Sequence, residues 1–154
     1  MDKRPLEQSL LRALCGGAAV ALMIAIADAT GQALLWLPFT TSIVMVLGSP
    51  EVAAAHPRRV LGGHLVCAAS GIACTLVLGF SPFVAALAIA IAMLVMQRLD
   101  VFHPPAGITP MIIVASKADP LFILSPVLPG AIILLGFAAI CDRLSGARSS
   151  KQPD

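Results

Sequence analysis

Three histidines are the side chains of this sequence that can exchange a proton near neutral pH. His103 lies in the stretch V-F-H-P-P-A-G-I-T, and His64 lies one turn inside an apolar segment. His56 precedes a proline and two arginines, as expected for a loop residue at a membrane surface. An ionisable group within a membrane-spanning segment is a functional candidate by default. Each of these two candidates could equally have a structural role, His103 in a rigid Pro-Pro turn and His64 bonded to a carbonyl.

A second group of candidates consists of hydroxyl and small residues that follow prolines. Two short apolar pieces, Pro38–Leu47 and Pro105–Ala115, carry them. The predicted substrate-binding residues are Thr40, Thr41, Ser42, His103, Pro104, Pro105, Gly107, Ile108 and Thr109. His64 and His103 are the candidates for a gating or proton-linked role. We predict no catalytic residue, cofactor or metal site, because no nucleophile–base set or metal-ligand spacing is evident.

The composition indicates the solvent around these residues. Of 154 residues, 58% are hydrophobic and 12% are charged, and the mean hydropathy is +0.95. A soluble domain of this size could not bury so much apolar surface. The net charge of +2 gives no reason to expect a nucleic-acid partner. The four cysteines show no C-x-x-C pair and are interpreted as small packing residues. We therefore predict an all-α polytopic membrane protein.

Four segments are about as long as a membrane-spanning helix requires. They are Leu10–Ala29, Val60–Gly79, Phe83–Leu99 and Leu121–Ile140. We assign residues 1–144 to one transmembrane domain and residues 145–154 to a disordered cytoplasmic tail.

The basic residues test whether the two short pieces also complete crossings. With six passes, nine of the ten lie on one side: Lys3, Arg4, Arg12, Arg58, Arg59, Arg98, Arg143, Arg148 and Lys151. Only Lys117 lies on the other side. The positive-inside rule then places both termini in the cytoplasm, and Trp36 becomes an outer-interface anchor. Four passes also keep the termini inside but move Arg58 and Arg59 outside, so six passes fit better and four stay open.

Six passes divide into two similar halves. Each half has a long span, a short Pro-led piece and a long span, so an inverted three-plus-three repeat is possible, as in many secondary transporters. The short pieces would be half-helices starting at Pro38 and Pro105, with N-termini facing each other near mid-membrane. Helix N-termini attract anions, and neither short piece contains a carboxylate. This geometry favours a small anionic or neutral substrate.

Small residues repeat at four-residue spacing in two of the spans. Gly63, Cys67 and Gly71 form one ridge, and Ala13, Gly17 and Ala21 form another. Both ridges are typical of helix packing surfaces in membranes. Because about 150 residues make a thin bundle, we also expect a homo-oligomer built through these ridges.

Two blocks of this sequence resemble the HPP family of integral membrane proteins. H-P-P-A-G-I-T at 103–109 is similar to the motif that names the family, and the block at 42–64 is similar to its S-P-x-A-Q-P-R and G-G-H elements. The resemblance covers roughly residues 10 to 142. The family is usually described with four spans, and counting the short pieces as half-length would reconcile this with six. His56 stands where many members have Gln.

Plant chloroplast and cyanobacterial members have been linked to nitrite transport, so the resemblance implies an anion transporter or channel. Geometry suggests a small monovalent anion, and only the resemblance suggests nitrite. We expect the protein in a bacterial inner membrane, with His103 gating the site or coupling anion entry to a proton. The alternative is a non-transporting sensor or assembly module in which the HPP turn is structural.

Overall fold

The computed structural model describes residues 4–31 and 37–145, and this part of the chain is all helical. Trp36, most of the segment predicted to lead into the first short piece, and residues 146–154 of the predicted tail lie outside the described residues. Six α-helices follow one another: α1 (Leu6–Thr30), α2 (Leu37–Gly48), α3 (Pro57–Leu78), α4 (Pro82–Arg98), α5 (Thr109–Ser116) and α6 (Val127–Leu144). Short 3₁₀ turns occupy Ala53–Ala55, Pro104–Ile108 and Pro120–Ile123.

The helices begin where the sequence provides caps and prolines. Pro57 is the first residue of α3, and the ring of His56 accepts a hydrogen bond from the Arg58 amide at 3.3 Å. Ser81 caps α4 in the same way, through the Val84 amide at 3.3 Å. A proline at the first helical position sacrifices no hydrogen bond, because that amide has no partner within the helix.

Three apolar helical segments are long enough to cross a membrane: Leu6–Thr30, Pro57–Leu78 and Pro120–Leu144. The last includes the 3₁₀ turn before α6. Helix α4 has 17 residues and would extend about 26 Å at 1.5 Å per residue, slightly less than a hydrocarbon core of about 30 Å. Helices α2 and α5 have 12 and 8 residues, so neither crosses alone. The chain is therefore a helical membrane bundle that combines long and short helices.

Arginines from several helices meet at one end of the bundle, which we call the arginine end. Arg12 in α1 pairs with Asp142 in α6 at 2.7 Å, and Arg59 in α3 pairs with Asp100 at 2.6 Å. Arg4 contacts Glu51 and the Gly48 carbonyl. Asp100 and Asp142 thus each pair with an arginine from a distant part of the sequence.

Helix α3 packs against α4, α5 and α6. Its small residues allow this, as predicted: Cys67 is fully buried, and a side chain at Gly71 would place a carbon 3.0 Å from the Pro110 Cα. The other ridge does not pack against the rest of the described chain, so its predicted role as a packing surface stays a prediction. Ala13, Gly17 and Ala21 are exposed, because α1 turns a different face inward, with Ala19 and Met23 fully buried.

Candidate functional site

A buried serine links two histidines in the middle of the bundle. Ser42 lies in the second turn of α2, and its side chain is fully buried. The Oγ atom is 2.9 Å from Nε2 of His64 and 2.9 Å from Nε2 of His103. Both imidazoles are also fully buried. Residues 22 and 61 positions apart along the chain thus converge on one hydroxyl, and we call this set the His-Ser-His chain.

The far end of the His-Ser-His chain determines the position of its protons. Nδ1 of His103 is 2.7 Å from the Ala54 carbonyl oxygen. A carbonyl can only accept, so Nδ1 carries the proton, and Nε2 of a neutral His103 is an acceptor. The Ser42 hydroxyl must then donate to His103. Because Ser42 has only one proton, it accepts from Nε2–H of His64.

His64 consequently has an unprotonated Nδ1 at the open end of the chain. This atom is buried and has no hydrogen-bond partner in the described part of the protein. The ring of Phe39 packs against the imidazole, with centroids 4.4 Å apart and the planes tilted by 37°. Buried polar atoms are nearly always hydrogen bonded, so an open acceptor here calls for an explanation.

Glycines and prolines allow the two histidines to approach. A Cβ on Gly63 would lie 2.6 Å from the Cβ of His103, so only glycine permits this contact. A Cβ on Gly130 would meet the Phe39 ring at 2.1 Å. His103 has φ −130° and ψ 92°, an extended conformation that the following proline favours. The first proline of the HPP motif therefore holds the backbone of His103 away from helical geometry.

Thr109 provides a second buried polar atom that lacks a partner. It is the first residue of α5 and is fully buried, and its Oγ1 makes no hydrogen bond within the described residues. Its neighbour Pro110 contacts α3 at Gly71, whereas His103 contacts α3 at Gly63. Eight residues of helix separate these contacts, about 12 Å at 1.5 Å per residue. His103 and Pro110, the residue after Thr109, thus contact α3 about two turns apart.

The surroundings of the site are apolar and uncharged. The sequences of α2 and of residues 101–116 contain no charged residue. The one buried arginine among the described residues is Arg12, which lies at the arginine end. The described residues contain no group of three His, Cys, Asp or Glu side chains that could hold a metal ion.

The predicted site residues divide into buried and exposed ones. Ser42, His64, His103 and Thr109 are buried, and the structure brings the first three together. Thr40, Pro105 and Gly107 are half-buried, whereas Thr41, Pro104 and Ile108 are exposed on the single chain.

Two details of the prediction need correction. The second half-helix begins at Thr109 rather than Pro105, because residues 104–108 form a 3₁₀ turn. His103 is enclosed, with hydrogen bonds at both ring nitrogens, and does not lie at an open entrance.

Two members of the site were not anticipated from the sequence. The Ala54 carbonyl accepts the last hydrogen bond of the His-Ser-His chain, yet nothing in the side chain of an alanine indicates that role. Phe39 covers His64, and its position directly after Pro38 in α2 was the only available signal.

A family model for the HPP transmembrane region matches residues 1–151. The chain belongs to the HPP family of transmembrane proteins. Two transmembrane proteins of Dictyostelium discoideum are each 31% identical to it, over 130 and 123 residues. These alignments cover 79% and 75% of this chain but 45% and 39% of the relatives, so the HPP chain spans less than half of their length. No solved structure matches it.

Proposed function

We propose that this HPP protein moves a small monovalent anion, most favourably nitrite, across the membrane along a path that passes His64 in α3 and Thr109 in α5. The observation that carries this proposal is the pair of buried polar atoms without partners, His64 Nδ1 and Thr109 Oγ1. Leaving such atoms unpaired costs about 1–3 kcal/mol each, and a polar ligand that binds at each atom in turn would remove that cost.

The choice of an anion follows from the charges near these atoms. No carboxylate occurs in α2 or in residues 101–116, so a cation would have no counter-ion there. A hydroxyl can donate to an anion, and so can His64 once its Nδ1 binds a proton. Irregular backbone such as residues 101–108 is tolerated at membrane depth where it is buried in protein or lines a wet cavity. We propose no covalent chemistry and no cofactor.

The topology that we propose has six passes, with both termini on the cytoplasmic side of a bacterial inner membrane. The arginine end gathers the starts of α1 and α3 and the ends of α2, α4 and α6. Basic residues are typically retained on the cytoplasmic side. A homo-oligomer also stays a proposal. Its candidate surface is the exposed Ala13 ridge, which lines a groove of about 750 Å³ between α1 and α2.

A second candidate function rests on a different observation. Every nitrogen and oxygen atom in the side chains of Ser42 and His103 is hydrogen bonded within the protein. Those bonds tie α2, α3 and the turn at Ala53–Ala55 together, as a purely structural lock would. In a non-transporting module of this kind, the HPP turn would serve only to hold His103 in place.

Uptake into proteoliposomes distinguishes the two functions. Nitrite, nitrate, formate and chloride are compared, and Thr109→Val is compared with Thr30→Val, the matched change at an exposed threonine whose hydroxyl bonds to its own helix α1. A hydrogen bond to an ion contributes about 1.5–3 kcal/mol, so we expect Thr109→Val to slow uptake by about tenfold or more. Thr30→Val should leave uptake unchanged. Folded protein that transports none of the four anions would exclude transport and favour the structural module.

A further inference from the structure

We propose that the His-Ser-His chain is a proton-loading site that opens at His64 Nδ1, so that the protein carries its anion together with a proton. The cargo would then be the conjugate base of a weak acid, such as nitrite or formate, and anions of strong acids would be excluded. This inference rests on the proposed function and specifies its substrate class.

The hydrogen bonds leave only one place for an added proton. At one end, Nδ1–H of His103 is fixed on the Ala54 carbonyl oxygen at 2.7 Å. In the middle, the Ser42 proton occupies Nε2 of His103 at 2.9 Å, and Nε2–H of His64 occupies the serine oxygen. The remaining lone pair on nitrogen is Nδ1 of His64, which has no partner in the described residues.

Once bound, the added proton can be shared along the His-Ser-His chain while every pair of atoms stays hydrogen bonded. A proton bonds to Nδ1 of His64, and the proton on its Nε2 moves to Ser42 Oγ. The original hydroxyl proton of Ser42 moves to Nε2 of His103. The net result is one added proton, His64 in its other neutral tautomer, and a positive charge on His103 beside the Ala54 carbonyl. His64 now presents Nδ1–H, a donor suited to an anion.

No nearby charged side chain can balance this positive charge. The titratable neighbour on α3 is the thiol of Cys67, whose Sγ contacts Met96 Sδ at 3.8 Å. Helix α2, the turn at Ala53–Ala55 and residues 101–116 contain no acidic or basic side chain apart from His103 itself. The charged residues of α4 and α6 lie at the arginine end, as does Arg59 of α3. Arg59 and Asp142 each already contact a partner there.

An unpaired charge in an apolar interior is strongly unfavourable. The proton and the anion should therefore enter as a neutral pair, in a ratio of one to one. A weak acid brings both from a single molecule: its hydroxyl donates to His64 Nδ1, the proton transfers, and the anion remains beside Nδ1–H. Nitrate and chloride arrive without a proton, so they cannot load the site in this way.

The tautomers can be tested independently of transport. In lipid at neutral pH without substrate, ¹⁵N spectra of histidine-labelled protein should show His103 protonated at Nδ1 and His64 protonated at Nε2. Single variants His103→Gln and His64→Gln assign the two signals, and His56→Asn removes the third histidine while keeping a helix-capping side chain. A spectrum in which His64 carries its proton on Nδ1 would overturn the proposal.

Coupling is tested in proteoliposomes that contain an internal pH indicator, with nitrite uptake assayed in parallel. Protein-free vesicles supply the rate at which nitrous acid crosses the bilayer unaided. Above that rate, we expect one proton to enter with each nitrite, and no acidification with nitrate. Ser42→Ala should stop the shared proton from reaching His103 and slow coupled uptake by about tenfold. Its control, Ser116→Ala, removes a hydroxyl that bonds only to its own helix at Ile112.

The outcomes separate this inference from the proposed function. If no anion enters above the protein-free rate, the proposed function fails and this inference fails with it. If nitrite enters without acidification, or nitrate enters as fast as nitrite, anion transport stands and proton loading is wrong.

Discussion

The His-Ser-His chain and the arginine end hold polar groups in two different ways. At the arginine end, full charges pair near the membrane surface: Arg12 is 5% exposed, but the side chain of its partner Asp142 is 46% exposed. In the interior, neutral groups form a line of hydrogen bonds from His64 to Ala54. At the arginine end these charges are paired, whereas the His-Ser-His chain includes one acceptor atom without a partner, Nδ1 of His64. The charged groups thus lie at one end of the bundle, and the acceptor atom without a partner lies in its interior.

The largest effect should come from removing the residue that closes the interior line. His103→Ala deletes two hydrogen bonds, leaves the Ala54 carbonyl without its partner and Ser42 with His64 alone, and opens a void. We expect a loss of about 3–5 kcal/mol in the free energy of unfolding, measured by thermal or denaturant unfolding in detergent. His56→Ala, at an exposed helix cap, should lose about 1 kcal/mol. Equal losses in both variants would contradict the interior role of His103.

A smaller loss of stability should follow when one carbon atom is added between the segments that carry His64 and His103. Gly63→Ala would place that carbon 2.6 Å from the Cβ of His103, and overpacking of this kind costs about 1–3 kcal/mol. Gly17→Ala is the matched control, because nothing lies within 4 Å of its added carbon. The control should be neutral or slightly stabilising, since alanine favours a helix. Unfolding of both variants in one detergent measures the difference, and Gly63→Ala should also disturb the ¹⁵N signals of both rings.

The arginine end provides the third prediction, which compares the buried Arg12 with the half-buried Arg59. Arg12→Met leaves Asp142 without its partner and should cost about 1–2 kcal/mol. Arg59→Met breaks the pair with Asp100, whose side chain is 66% exposed, and should cost at most about 1 kcal/mol. Raising the salt concentration should reduce the contribution of Arg59 to the free energy of unfolding more than that of Arg12. A salt effect of the same size on both pairs would remove the distinction between them.

The smallest expected effect on stability is a gain, and it should be accompanied by a loss of transport. Thr109→Val replaces a buried hydroxyl without a partner by a methyl group of similar size. We expect the protein to become more stable by about 1 kcal/mol while anion uptake falls. Parallel measurements of unfolding and uptake test this, with Thr30→Val in α1 as the control that changes neither by much. A destabilised Thr109→Val protein would indicate that the hydroxyl is a structural group.

The sequence predicted local features better than long-range ones. The piece Pro38–Leu47 appears as α2 (Leu37–Gly48), because a proline start and a glycine end are local signals. The second piece was placed too early, since Pro104 and Pro105 support a 3₁₀ turn before the α-helix that starts at Thr109.

The candidate site illustrates the same limit. Ser42, His64 and His103 were each named for their own chemistry. Their meeting depends on how α2 and α3 pack, which no spacing along the chain specifies. The exposed Ala13 ridge shows that small-residue periodicity identifies a surface for close packing without identifying what covers it.

The carbonyl that ends the hydrogen-bond line has a consequence for how this protein can evolve. Position 54 contributes its main chain, so almost any amino acid there preserves the acceptor for His103, provided that the turn at Ala53–Ala55 keeps its shape. Mutational drift at that position would be nearly silent, whereas a one-residue insertion or deletion between Gly48 and Pro57 would move the acceptor away. In relatives, the loop length should therefore vary less than the loop sequence, and a length change there should occur together with the loss of His103.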